Sequence, residues 1–187
     1  MKSFKDKICV VTGAGSGIGR ALAMKLADAG AKLAISDVNQ ETLDETVGLL
    51  PLSEKDVLAM TVDVSVKEQM QAFADAVEDK FGGTDLVINN AGVTIAQTVE
   101  ETSYEDFEWL MGINFWGVVH GTKLFLPMLK RSSDAAVVNI SSVFGLVGIP
   151  TQGAYNASKF AVKGYTEALR LELKSTNVTP ITVHPGG

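Results

Sequence analysis

Short, continuously apolar runs alternate along this chain with longer stretches in which apolar residues recur at helical spacing. The runs at residues 8–11, 33–36, 57–62, 86–89, 136–140 and 181–183 predict strands covered on both faces. The intervening segments 18–29, 40–50, 66–81, 104–130 and 154–174 predict helices. Two of these open with capping-box patterns, Ser65 with Glu68 and Ser103 with Asp106, in which a side-chain oxygen satisfies an orphan amide of the first turn. Strict strand–helix alternation without a linker or repeat predicts one domain spanning residues 1–187. Its fold class is α/β, a three-layer doubly wound parallel sheet.

The helix at 104–130 carries two apolar stripes. At 100° per residue, Phe107, Met111, Val118 and Phe125 share one side, while Trp109, Ile113, Trp116 and Leu124 share the other. One stripe covers the sheet. The second calls for a partner, which predicts a symmetric homodimer or homotetramer contact through the 104–130 and 154–174 helices.

Composition narrows the class further. The 187 residues are 46% hydrophobic and 20% charged, as in a globular protein with a real core. A net charge of -6 argues against sequence-independent nucleic-acid binding, which relies on Lys and Arg neutralising phosphates. No apolar run reaches membrane-spanning length, and the N-terminus passes from charges into a short apolar run with no signal-peptide core. The lone Cys9 cannot pair within the chain and reads as core filler in a reducing, cytoplasmic setting. His120 and His184 have no Cys, Asp or Glu at ligand spacing, so no metal site is expected and both read as structural or solvent-facing.

The candidate chemistry lies at the ends of the predicted strands. Thr12 to Gly19, T-G-A-G-S-G-I-G, joins the first strand to the first helix. Glycines 13, 17 and 19 allow a sharp turn and let a pyrophosphate approach the amides of the helix N-terminus. A P-loop is excluded, because Arg20 stands where Lys-Ser/Thr would follow. Asp37, eighteen positions after Gly19 at the end of the second strand, can accept hydrogen bonds from adenosine ribose hydroxyls and repel a 2'-phosphate, favouring NAD over NADP. The alternative role for Asp37 is to cap the following helix. Tyr155 and Lys159, four residues apart, share a helix face on which the ammonium could lower the phenol's pKa.

These motifs together resemble the short-chain dehydrogenase/reductase family over essentially the whole chain. The resemblance rests on T-G-x-x-x-G-x-G at 12–19, N-N-A-G at 89–92, Asn114, Ser142, Y-x-x-x-K at 155–159 and Pro185-Gly186. It implies a Rossmann fold and an oxidoreductase moving hydride between NAD(H) and a secondary alcohol or ketone. Tyr155 would be the general acid/base, Lys159 its electrostatic support and a ligand of the nicotinamide ribose, Ser142 the group aligning the reacting oxygen, and Asn114 the anchor of a proton-relay water. Cofactor contacts are implied at Gly13, Ser16, Gly17, Ile18, Gly19, Asp37, Asp63, Val64, Asn90, Ala91, Gly92, Tyr155, Lys159, Pro185 and Gly186. Asp63 either meets the adenine or forms the turn before Ser65. Segments 93–96 and 143–146, with Ile149, would lie near the reacting centre and are mainly apolar. The family's pattern continues past residue 187 with a further strand, so the sheet is expected to be C-terminally incomplete. The competing reading is a catalytically idle dinucleotide-binding relative, against which the intact set of Asn114, Ser142, Tyr155 and Lys159 speaks.

Overall fold

A computed structural model describes residues 2–186. Six parallel strands form one sheet: β1 (Ile8–Thr12), β2 (Lys32–Asp37), β3 (Val57–Thr61), β4 (Leu86–Asn89), β5 (Ala135–Ile140) and β6 (Val178–Val183). Their spatial order is β3-β2-β1-β4-β5-β6. The order reverses between β1 and β4, which opens a crevice beyond their carboxyl ends, where open α/β sheets bind ligands. The inner strands are mostly buried and largely apolar because helices cover both faces. The edge strand β3 is only partly buried.

Helices α1 (Gly17–Asp28) and α2 (Gln40–Leu49) cover one face, packing Ala23, Leu26 and Leu43 against Val11, Leu33 and Ile35. The other face carries α3 (Lys67–Phe81), α4 (Tyr104–Met111), α5 (Gly117–Arg131) and α6 (Gly153–Glu172). There Phe73 meets Phe125 edge-on, with ring centroids 5.9 Å apart, in a core that also holds Met70, Val77 and Leu129.

Three sequence expectations need correction. The helix expected at 104–130 is interrupted by a π-helical segment, Gly112–Trp116, between α4 and α5. Its wider turn changes the phase of the side chains. Phe107 is consequently 38% exposed, and Leu110 and Asn114 take the inward positions ahead of Val118 and Phe125. Ile113 and Leu124 pack against the core instead of joining an outer stripe with Trp109 and Trp116. The Ser65–Glu68 capping box does not form: the Ser65 amide and hydroxyl both donate to Asp63 Oδ1, and Val66 takes the cap position. Ser103 does cap α4, accepting from the Asp106 amide at 3.0 Å. Finally, β6 begins three residues earlier than expected and includes Pro180, and among the described residues it pairs only with β5.

A buried polar ladder fixes α5 and α6 to the sheet. Asn89 donates to Asn139 Oδ1 at 2.8 Å and to Thr122 at 3.3 Å, and Asn139 donates to Thr166 at 2.9 Å. All four residues are buried, so each amide needs its partners and holds its helix in register.

Candidate active site

The cleft beyond the carboxyl ends of β1 and β4 has a volume of about 870 Å³. Its floor is the turn between β1 and α1. Gly13 adopts φ +65°, and a Cβ there would stand 2.7 Å from Ala91 Cα, so only glycine lets the turn close against the segment after β4. Asn90 locks that approach by donating to the carbonyls of Thr12 and Gly13, while the Thr12 hydroxyl accepts from the amides of Asn90 and Ala91. Ser16 caps α1 without a side-chain hydrogen bond to its first turn. The helix N-terminus thus keeps its orphan amides, flanked by a hydroxyl, for an anionic ligand.

Asp37 ends β2 beside this turn. Its Oδ2 accepts from the Gly15 amide at 2.8 Å and its Oδ1 from the Asn39 amide at 3.0 Å. Asn39, not Asp37, caps α2, through Thr42. Arg20 is spent on structure: it donates to the carbonyls of Gly15 and Thr42, to the Thr46 hydroxyl and to Glu45, with which it forms a 2.8 Å ion pair. Asp63 forms the turn that leads into α3, as described, and its own amide donates to the Gln69 side chain. It also lines the cleft together with Val64, whose carbonyl accepts from His120 Nδ1 at 3.0 Å. His184 Nδ1 likewise donates to the Ser142 carbonyl at 2.9 Å. Among the described residues no group of three or more His, Cys, Asp or Glu could hold a metal ion. Cys9 is fully buried in β1, and burial pushes its thiol up to about 12, which leaves it inert.

At the other end of the cleft, α6 delivers Tyr155 and Lys159 to one wall. Lys159 Nζ lies 5.4 Å from the centre of the Tyr155 ring and donates to the Ile140 carbonyl at 3.0 Å. Lys159 is only 4% exposed, and burial lowers its ammonium to about 8. Ser141 Oγ donates to the Lys159 carbonyl, joining α6 to the end of β5. Ser142 follows, its hydroxyl accepting from the Phe144 amide at 3.1 Å. Phe144 in turn stands edge-on to Tyr155. Asn114, on the π-helical segment, is fully buried behind this wall. Its side chain accepts from the Val93 amide at 2.8 Å and donates to the Val93 carbonyl at 2.9 Å and to Ser158 at 3.1 Å. A Cβ on Gly92 would lie 3.2 Å from Asn114 Oδ1 and 3.4 Å from Lys159 Nζ, which places both groups directly behind the N-N-A-G turn.

Every sequence-predicted site residue except Asn114 lines this single cleft: Gly13, Ser16, Gly17, Ile18, Gly19, Asp37, Asp63, Val64, Asn90, Ala91, Gly92, Ser142, Tyr155, Lys159, Pro185 and Gly186. Val93, Thr94, Val143 and Phe144 also line it, whereas Leu146 and Ile149 face solvent. Three contributors had no motif to betray them. Trp109 and Gln152 line the cleft, and Asn156 shapes the segment after Ser142 by bonding the carbonyls of Phe144 and Val147 and the amide of Ile149. Only spatial proximity reveals them, because none of the three stands in a motif of its own.

This architecture has close relatives. The short chain dehydrogenase family profile matches residues 7–187. The Mycobacterium tuberculosis protein SadH is 49% identical over 189 residues, covering all of this chain and 68% of its own length. The CLA biosynthesis dehydrogenase/reductase of Lactiplantibacillus plantarum is 37% identical, covering 95% of this chain and 63% of its own length. Among solved structures, a short chain dehydrogenase/reductase from Burkholderia phymatum in complex with NAD superposes with a TM-score of 0.95 at 41% identity, over all of this chain and 67% of that one. The chain belongs to the short-chain dehydrogenase family, whose members are oxidoreductases. No helix among the described residues is long and apolar enough to cross a membrane.

Proposed function

We propose that this protein is an NAD-preferring oxidoreductase that interconverts a secondary alcohol and a ketone, with Tyr155 as general acid/base. The observation that carries the reading is Lys159, a buried ammonium held 5.4 Å from the Tyr155 ring at the end of a cleft whose other end is the glycine turn. A buried cation beside the phenol stabilises the negative charge that develops on its oxygen in the transition state as Tyr155 takes an alcohol proton. Bound nicotinamide supplies the hydride acceptor or donor. The residues do the rest: Tyr155 moves the proton at the reacting oxygen, Ser142 hydrogen-bonds that oxygen and aligns it, and Lys159 keeps its remaining donors for the ribose side of the cleft. Asn114 positions the Val93 backbone and the helix carrying Lys159 through Ser158, and its segment is the anchor for a relay water.

Gly13, Ser16, Gly17, Ile18 and Gly19 would cradle the pyrophosphate, and Asn90, Ala91 and Gly92 the central part of the cofactor. Asp63 and Val64 would flank the adenine, with Pro185 and Gly186 beside the nicotinamide. Selection of NAD over NADP follows from charge. The Asp37 carboxylate faces the ribose position, and the nearby cation, Arg20, is already paired with Glu45, so a 2'-phosphate would meet repulsion without compensation.

Exposed Trp116 and Phe160, on α5's approach and on α6, support a homodimer or homotetramer through these helices. The buried, unpaired Cys9 accords with a cytoplasmic setting. The test is Tyr155→Phe. It is expected to lower NADH-dependent ketone reduction by about a thousandfold, the scale of general acid catalysis, with NADH affinity changed less than about threefold. Turnover at the wild-type rate in this variant would overturn the assignment.

A further inference from the structure

The cleft that Ser142 and Tyr155 line also carries the apolar side chains of Val93, Trp109, Ile113 and Phe144, together with the polar Gln152. The Gln152 amide oxygen accepts from the Thr94 hydroxyl at 2.9 Å. Among the described residues no protein group pairs with its amide nitrogen. Gln152 is the N-cap of α6, three positions before Tyr155, and both residues line the cleft. Thr94 therefore fixes one end of the amide and leaves a two-proton donor to the cleft that Tyr155 also lines.

The backbone here is strained. Thr151 adopts φ +65°, a left-handed conformation that a β-branched residue rarely takes. It is held there by the Gln97 amide, which donates to the Thr151 carbonyl at 2.9 Å, and by the parallel bridge between Gln97 and Gln152. Strain of this kind persists only where the surroundings over-determine it, and it concentrates at ligand sites. Relaxing Thr151 would swing Gln152 out of its place beside Thr94.

We infer that Gln152 is a specificity-determining residue that reads a second oxygen on the substrate, next to the reacting carbon, as in a 1,2-diketone, a hydroxyketone or a vicinal diol. The inference rests on the alcohol/ketone reading of the site. A substrate that is apolar at this point leaves the amide desolvated and unpaired, whereas an acceptor oxygen completes it. Gln152 selects and the Tyr155 group reacts, so loss of Gln152 changes which substrate is preferred.

The test compares kcat/KM for NADH-dependent reduction within matched pairs, cyclohexane-1,2-dione against cyclohexanone and 2-hydroxyacetophenone against acetophenone. Wild-type protein, Gln152→Leu and Thr94→Val are measured on the same substrates, so intrinsic reactivity divides out of the comparison. Gln152→Leu is expected to lower the ratio of oxygenated to plain ketone by about tenfold, and Thr94→Val by about threefold. A ratio within twofold of wild type in Gln152→Leu overturns the role of Gln152 while leaving the reading of the site intact. NADH titration of each protein separates the two failures. Absence of NADH binding, or of any reduction across both pairs by wild-type protein, counts against the site reading and removes this inference with it.

Discussion

At the amino ends of the strands Asp85 accepts from the Lys7 ammonium, the Ile8 amide and the Ser132 hydroxyl, whereas at the carboxyl ends Lys159 is buried beside Tyr155 with no carboxylate among the described residues paired to it. The two regions use the same sheet for different purposes. Burial raises the Asp85 carboxyl, but the bonds from Ser132, Ile8 and Lys7 outweigh it and hold the group below its usual range. That end of the molecule satisfies its polar groups internally and gains stability. Among the described residues the Lys159 ammonium has only the Ile140 carbonyl as a hydrogen-bond partner, and the neighbouring turn keeps open amides. The carboxyl end therefore carries an electrostatic cost in the free protein that a ligand and a reacting oxygen would offset.

The sharpest way to break this contrast is to remove the buried ammonium. Lys159→Met is expected to abolish turnover and, at neutral pH, to stabilise the fold by about 2 kcal/mol. The depression from 10.5 to about 8 represents roughly 3 kcal/mol, less about 1 kcal/mol for the Ile140 carbonyl left unpaired. In the folded state the pKa lies below its unfolded value, so the cost is fully present below pH 8, shrinks as pH rises, and vanishes above 10.5. Denaturant titrations of variant and wild type between pH 7 and about pH 10 would show the gap closing. A variant less stable than wild type at pH 7 would mean that Lys159 is a structural residue.

Asp85→Ala should do the reverse. It leaves the Ile8 amide and Ser132 hydroxyl without their acceptor, at a cost of about 2 kcal/mol, with kcat/KM changed less than about twofold. The folded pKa is depressed, so the stability that Asp85 contributes is fully present above the ordinary value of 3.8 and is lost as pH falls through the lower folded value. The stability difference between variant and wild type is accordingly expected to shrink on acidification. A large loss of turnover with unchanged stability would erase the division between the two ends.

The smallest expected effect concerns cofactor choice. Asp37→Ser removes the carboxylate from the glycine turn and should narrow the preference for NADH over NADPH by about tenfold, equivalent to about 1.4 kcal/mol, as read from paired binding titrations. An unchanged preference would move the selector elsewhere.

Much of this was legible in the chain before any coordinates. The strand–helix alternation placed all six strands, and motif order brought the glycine turn, Asn90, Ser142 and the Tyr155–Lys159 pair to one cleft. What escaped depends on contacts distant in sequence. A π-helical turn has no simple sequence signature, so Phe107 was assigned to the core that Leu110 and Asn114 occupy. The capping pattern at Ser65 is outcompeted by Asp63 two residues earlier, whose carboxylate accepts from both the Ser65 amide and its hydroxyl. Gln152 and Trp109 carry no motif, and only the fold brings Gln152 against Thr94 and both residues into the cleft. The capping role open to Asp37 falls to Asn39, which leaves the Asp37 carboxylate on the glycine turn.

The most direct measurement is calorimetric titration of the wild-type protein with NADH and, separately, with NADPH. An NAD-preferring site built on the glycine turn and Asp37 predicts NADH binding at least about tenfold tighter than NADPH. Equal affinities would contradict the selectivity, and binding of neither would contradict the site itself.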